Sequence, residues 1–215
     1  MILVFELECR YYFSDKELDK VLKKLKGFDD LLFKGKYYEE TSQYDVLDSK
    51  YSFYNEDIDG RFRVRLSKSS LEEKLLLSWK RRLKGEKEKN IHKEEEIELH
   101  LIPEEYNNLL LILESVLKMK KVESYERYRY VFLNNDIEIV VDKFPFGIAL
   151  EIESLDKKKE TILKWIKILN LDINESYKYS WDDKYAELCK QQGVEIFKNV
   201  KFGLKMPYIE EKFYE

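Results

Sequence analysis

Pairs of like charges, two residues apart, recur in short segments of the sequence that alternate charged with apolar residues. Side chains at this spacing on a β-strand lie on one face, about 7 Å apart, so each segment would present two like charges together. Carboxylate oxygens suit hard divalent cations, and the planar fork of arginine suits phosphate oxygens. These residues could therefore hold a polyanion together with a metal ion. The pairs are Glu6 and Glu8, Arg63 and Arg65, Glu96 and Glu98, Arg127 and Arg129, and Glu151 and Glu153.

The ordinary explanation of such alternation is a β-sheet with one face in water, since antiparallel sheets often have a polar side. Three features favour a ligand site instead. Acidic and basic pairs fall in different segments, arginine supplies the basic pairs although lysine predominates elsewhere, and eight strands are about enough to close a barrel. Charges that face the inside of a barrel are costly unless they are paired or bind a ligand. A polyanion bound with a divalent metal would satisfy both signs of charge.

The strands that would position these residues can be read from the same alternation. Seven segments are predicted to be strands, and an eighth, at residues 37–46, alternates less regularly. The seven are residues 2–10, 61–66, 75–82, 94–101, 125–132, 137–143 and 148–153. Each has an apolar face, which predicts that helices pack against that side of the sheet.

Four helices are predicted from apolar residues at helical spacing. Ser14 with Glu17, and Ser180 with Asp183, have the spacing of N-terminal capping boxes. The four helices are residues 14–27, 103–120, 156–170 and 180–193. The predicted fold class is α+β: a closed eight-stranded antiparallel β-barrel with a charged lumen and helices packed on the outside.

The composition limits the classes of function. The 215 residues fit one domain, and 39 Lys+Arg nearly balance 43 Asp+Glu, which argues against a protein that coats nucleic acid. The two cysteines form neither a zinc motif nor a disulfide framework, so we expect a reducing compartment and a cytoplasmic location. No apolar stretch approaches the length of a membrane span, and Glu6 ends the short apolar run at the N-terminus, so we expect neither membrane insertion nor a signal peptide.

The order of the charged segments resembles that of the CYTH domain, the superfamily of triphosphate tunnel metalloenzymes. The first strand of that family carries Glu-x-Glu-x-Lys, which reads here as Glu6-Leu7-Glu8-Cys9-Arg10. The resemblance covers about residues 1–193, and residues 194–215 would be an extension packed on the same domain. The further matches are Tyr44-Asp45, Arg63-Val64-Arg65, Lys80, Glu96-Ile97-Glu98, Arg127-Tyr128-Arg129, Asp142, and Gly147 followed by Glu151-Ile152-Glu153.

The resemblance implies roles for these residues around a bound triphosphate and a divalent metal, Mg²⁺ or Mn²⁺. Catalytic positions would be Glu6, Glu8, Arg10 and Lys80. Substrate-binding positions would be Arg63, Arg65, Lys80, Arg82, Arg127 and Arg129. Metal-binding positions would be Glu6, Glu8, Glu98, Asp142, Glu151 and Glu153. Glu96, Glu98, Glu138 and Asp142 would complete the metal shell or orient the basic side chains. Because arginine stays protonated at neutral pH, Arg10 in place of the usual lysine is expected to bind phosphate rather than to transfer a proton.

Three functions are compatible with these roles. The first is a metal-dependent hydrolase of inorganic triphosphate, a nucleoside triphosphate or thiamine triphosphate. The second is a class IV adenylyl cyclase, and the third is a module that binds polyphosphate or nucleotide without turnover. Hydrolysis is favoured because it needs only a metal, water and a fixed triphosphate. The expected partner is a triphosphate-containing small molecule. Nucleic acid is not expected as a partner, with the exception of an RNA 5′-triphosphate end. The chain is expected to be a monomer or a homodimer.

Overall fold

Eight antiparallel strands close into a barrel, as the alternation predicts. The structure is a computed structural model that describes residues 4–55, 57–82 and 90–213. The strands are β1 (Val4–Phe13), β2 (Leu32–Val46), β3 (Gly60–Lys68), β4 (Glu73–Arg82), β5 (His92–Leu101), β6 (Met119–Leu133), β7 (Ile137–Phe144) and β8 (Gly147–Ser154).

The barrel closes because β2 and β6, at the two ends of the strand order, pair with each other. The order is β2-β3-β4-β5-β1-β8-β7-β6, and β6 then pairs along the full length of β2. Strand β1 pairs with β5 through its first half and with β8 through its second half. Its register places Glu6 beside Glu94 of β5, and Glu8 beside Glu153 of β8. Acidic residues of three neighbouring strands are thereby brought onto one stretch of wall.

Four helices lie outside the barrel: α1 (Leu18–Lys26), α2 (Tyr106–Leu111), α3 (Lys159–Ile168) and α4 (Trp181–Gln192). The capping box at the start of α4 is confirmed, and Gly193 ends that helix in the left-handed conformation. The second helix is shorter than predicted, because a π-helical turn at Ile112–Val116 is followed by Lys118 at positive φ and then by β6. No helix within the described ranges is long and apolar enough to cross a membrane.

The helices cover the apolar outer faces of the strands. Helices α1 and α3 bury Val21, Leu25 and Ile162 in one cluster with outward residues of β1, β7 and β8. Leu113, in the turn after α2, packs in a second cluster with Tyr44, Val64 and Leu75 of β2, β3 and β4. Helix α4 packs in a third cluster with Tyr125 and Phe144, which line the cavity together with Trp181 of α4. Because successive side chains of a strand point to opposite faces, burying the apolar residues outside turns the charged residues towards the lumen.

Residues 194–213 run back along the barrel wall. A ninth strand, β9 (Asn199–Val200), pairs in parallel with β6; Phe213 is buried in the cluster of α1 and α3, and Ile209 in the cluster of α4. The backbone amide of Ser14 donates to the carbonyl of Glu211 at 2.8 Å. The described part of the extension therefore packs against the barrel, while the division of the chain at residue 193 stays a prediction.

Candidate functional site

The barrel surrounds a cavity of about 170 Å³ that is lined mostly by charged side chains. Acidic residues come mainly from β1, β5 and β8, and arginines come mainly from β3 and β6. This lining confirms the predicted charged lumen. It brings together most of the predicted site residues: Glu6, Glu8, Arg10, Arg63, Arg65, Lys80, Glu98, Arg127, Arg129, Glu151 and Glu153.

Four glutamates surround the ammonium group of Lys80 on the acidic side of the lumen. We call them the glutamate ring: Glu6, Glu8, Glu94 and Glu96. The Lys80 Nζ lies 2.8 Å from a carboxylate oxygen of Glu6 and 2.9 Å from one of Glu94. The corresponding distances are 3.4 Å to Glu8 and 3.5 Å to Glu96. Strand β4 delivers the lysine, while β1 and β5, which pair with each other, deliver the ring.

The electrostatics of the ring follow from burial and crowding. Burial alone would lower the pKa of Lys80, but the four carboxylates outweigh it and hold that pKa well above its usual value. Burial raises the pKa of Glu6 despite the attraction of Lys80. Burial acts in the same direction on Glu96, but Lys80 and a hydrogen bond with Glu6 lower the pKa of Glu96 below its usual value. The pKa values of these two neighbouring carboxyl groups are thus shifted in opposite directions.

Three arginines converge on two carboxylates on the basic side of the lumen. We call Arg65, Arg127 and Arg129 the arginine cluster. Arg127 donates from Nε to Glu39 at 2.7 Å and from Nη1 to Asp142 at 2.8 Å. Arg129 donates to Asp142 from Nε at 2.8 Å and from Nη2 at 2.6 Å, while Arg65 lies 3.8 Å from Glu39. A third carboxylate, Glu151, lies 3.4 Å from Arg129 Nη2 and is shared with Arg10. The three guanidinium groups of the cluster are therefore met by Glu39, Asp142 and a shared Glu151.

Arg63 lies beside the arginine cluster without a carboxylate of its own. It is 8% exposed, and its Nε has no hydrogen-bond partner. Among the described residues, no carboxylate lies within 4 Å of its guanidinium nitrogens. The Nε of Arg65, two residues along the same strand, also lacks a hydrogen bond. A buried cation without a paired carboxylate is costly, so Arg63 is suited to an anionic ligand, and Arg65, whose carboxylate neighbour is Glu39 at 3.8 Å, could bind the same ligand.

Several predicted residues have partners that narrow their roles. Asp142 is fully buried and gives both oxygens to arginines, which favours the orienting role over metal binding. Arg10 is held between Glu8 at 2.9 Å and Glu151 at 2.6 Å, so its charge is already balanced. The side chain of Arg82 lies outside the part of the chain that the structure describes.

The glutamate ring fits a hard divalent cation in its chemistry but not in its present geometry. Four carboxylates face one point, and such cations take oxygen ligands. However, the described residues contain no group of three or more carboxylate, imidazole or thiolate side chains that are spaced to hold a metal ion. The ammonium of Lys80 lies where the carboxylates converge. The ring could hold Mg²⁺ or Mn²⁺ only after this ammonium moves.

The sequence-based site set left out Glu94 and Arg61, which line the cavity, and Glu39, which contacts Arg127. Glu94 could have been included, since it alternates with Glu96 and Glu98. Arg61 likewise alternates with Arg63, and it donates to Ser180 at 3.2 Å, joining β3 to the start of α4. Glu39 had no clear signal, because bulges in β2 disturb its alternation.

Comparison with known proteins locates this barrel among solved structures. No protein-family model and no curated protein matches the sequence. HpAC1 from Hippeastrum, named as a putative adenylyl cyclase with a dominant triphosphatase activity, is 17% identical with a TM-score of 0.58; the match covers 89% of this chain and 97% of that one. The PH1012 protein of Pyrococcus horikoshii OT3 is 18% identical with a TM-score of 0.61, over 82% and 96% of the two chains.

The chain has the fold of these proteins. A third similar structure is a protein of Vibrio parahaemolyticus that is named as a putative adenylate cyclase. It is 14% identical with a TM-score of 0.58, and the match covers 85% of this chain and 98% of that one. The likeness supports the eight-stranded barrel fold that was predicted from the sequence. At these identities it is a likeness of fold, and the roles of single residues rest on the geometry described above.

Proposed function

We propose that this chain is a divalent-metal-dependent phosphohydrolase that binds a triphosphate-containing small molecule inside the barrel. The observation that carries the proposal is Arg63, a buried guanidinium with no carboxylate within 4 Å among the described residues, which lies beside the arginine cluster in a lumen that also has an acidic wall. A chain of phosphates would neutralise the arginines. The carboxylates of the acidic wall would hold a divalent cation, which would neutralise their charge.

The arginines would bind and orient the substrate. Arg63, Arg65, Arg127 and Arg129 can donate charge-assisted hydrogen bonds to phosphate oxygens. Glu39 and Asp142 fix two of these guanidinium groups in place, so little reorganisation is needed when charge develops on the transferred phosphoryl group.

The acidic wall would hold the metal. Glu6, Glu8, Glu151 and Glu153 are the proposed ligands with Glu98, and the ring geometry adds Glu94 and Glu96. When bound, the ion would supply charge neutralisation and lower the pKa of a coordinated water.

Hydrolysis is favoured over cyclisation for two reasons. The name of HpAC1 ascribes a dominant triphosphatase activity to a protein of this fold, although the protein is called a cyclase. Cyclisation also requires contacts to adenine and ribose, whereas most of the described side chains that line the lumen are charged. The cyclase stays the second candidate, because three of the similar structures carry that name.

A substrate panel with purified protein tests the proposal. Inorganic triphosphate, ATP, thiamine triphosphate and RNA with a 5′-triphosphate end would each be incubated with Mg²⁺, Mn²⁺ or EDTA. We expect metal-dependent release of phosphate from at least one of them. Pyrophosphate with cyclic AMP would instead support the cyclase, and tight binding without turnover would support the binding module. Neither binding nor turnover of any of these compounds would refute the proposal.

Single substitutions connect the activity to the lumen. Glu6→Gln and Glu151→Gln should abolish metal-dependent turnover while the fold survives. Arg63→Ala should weaken triphosphate binding, whereas Lys68→Ala, on the same strand but paired with Glu73 at the surface, should have no effect. Unchanged turnover in all three lumen variants would remove the site assignment.

A further inference from the structure

Lys80 lies on the boundary between the acidic and the basic walls of the lumen. Its backbone pairs with Glu96 of β5 on one side and with Arg61 of β3 on the other. The lysine side chain carries a compact charge on a flexible four-carbon chain. It can therefore turn towards either neighbouring strand without a change in the backbone.

The ammonium group is at present committed to the acidic side. It contacts all four members of the glutamate ring within 3.5 Å, and three of those four residues are less than 10% exposed. The four carboxylates share this one ammonium, and Glu8 is paired with Arg10 as well. The lysine thus has the position and the charge of a bound cation.

We infer that Lys80 is an internal cation that a divalent metal displaces from the glutamate ring, and that the displaced ammonium then turns to the triphosphate. The inference rests on the proposed function. It predicts that metal and triphosphate bind cooperatively, because the metal frees a cation for the anion. It also resolves a conflict, since a lysine held by four glutamates could not otherwise contribute its charge to phosphate binding.

Mn²⁺ binding without substrate tests the displacement directly. The free Mn²⁺ signal in electron paramagnetic resonance would be titrated with wild-type protein, Lys80→Met and Lys184→Met. Lys184 is a matched control: it is also buried and paired with a glutamate, Glu211, but lies on the outside of the barrel. We expect Lys80→Met to bind Mn²⁺ at least tenfold more tightly than wild type, and Lys184→Met to bind like wild type. Equal or weaker binding by folded Lys80→Met would overturn the inference.

A second measurement does not depend on whether Lys80→Met folds. The side-chain ammonium signals of ¹⁵N-lysine-labelled wild type would be followed by NMR, with Lys80→Arg used to assign the Lys80 signal. We expect Mg²⁺ alone to shift this signal, and tripolyphosphate added afterwards to shift it again. A permanent structural role would leave it unmoved while Mg²⁺ binds, and that result would also overturn the inference.

The outcomes separate this inference from the proposed function. If wild type binds Mn²⁺ and hydrolyses triphosphate but the Lys80 variants behave like the control, only the displacement is wrong. If no variant binds Mn²⁺, with tripolyphosphate present or absent, the proposed metal dependence fails and the displacement fails with it.

Discussion

Glu39 is the carboxylate that stands against the arginine cluster, and replacing it by glutamine should expose how much that cluster depends on negative charge. Its oxygens lie 2.7 Å from Arg127, 3.8 Å from Arg65 and 3.9 Å from Arg129. Burial would raise the pKa of Glu39, but these three arginines hold it well below its usual range. Glutamine keeps the size of the side chain, and its carbonyl oxygen can still accept from Ser67, so the change removes mainly the charge.

The expected loss follows from the cost of breaking a buried ion pair, about 3–5 kcal/mol. Asp142 still compensates Arg127 and Arg129 in the variant, so we expect the lower end, about 3 kcal/mol. For a chain of 215 residues, each kcal/mol shifts the melting temperature by about 2–4 °C, so Glu39→Gln should melt roughly 6–12 °C lower than wild type.

Thermal unfolding with and without tripolyphosphate is the assay. A bound polyanion would supply the missing charge, so tripolyphosphate should raise the melting temperature of Glu39→Gln by several degrees more than that of wild type. Glu40→Gln, an exposed neighbour on the other face of β2, is the control and should melt like wild type. An unchanged melting temperature for Glu39→Gln would refute the reasoning. So would a rise in melting temperature with tripolyphosphate that is no larger in Glu39→Gln than in wild type.

Three other outcomes are expected. Burial and the nearby Asp182 raise the pKa of Glu123 from 4.5 to about 7; the folded state therefore holds this proton more tightly, and stability is lost as pH rises through that window. Glu123→Gln should remove this loss. In urea unfolding, the free energy of unfolding of the variant should exceed that of wild type by at most about 3 kcal/mol at pH 8 and by little at pH 4. Gly60→Ala would place a Cβ atom against the ring of Trp79, so this overpacking should lower the free energy of unfolding by about 1–3 kcal/mol. An unchanged free energy of unfolding would contradict that packing. In calorimetry, Arg63→Ala should weaken the binding of tripolyphosphate at least tenfold and the binding of orthophosphate only a little. Equal weakening of both would contradict a site that spans several phosphates.

The barrel and most of its lining could be predicted from the sequence because both follow from one local rule. Alternation on a strand fixes which residues share a face, and Arg63 with Arg65, or Glu151 with Glu153, needs nothing more. Closure was also predictable, because the number of strands and the apolar outer faces left the charged residues only one enclosed space.

The partners of these residues could not be predicted, because they depend on register between strands that are distant in sequence. The contact of Lys80 with Glu6 and Glu94 requires that β4, β5 and β1 be adjacent and staggered as they are. The place of Glu39 was hidden by bulges in β2. Asp142 could have bound either a metal or arginines, and only the three-dimensional structure favours the arginines.

A crystal structure with tripolyphosphate and Mg²⁺ would test the proposed function most directly. We expect density for the phosphate chain inside the barrel, with oxygens within hydrogen-bond distance of Arg63 and Arg65 and the metal bound by carboxylates of the opposite wall. An empty lumen with the anion on the outer surface, at ligand concentrations that saturate binding in solution, would contradict it.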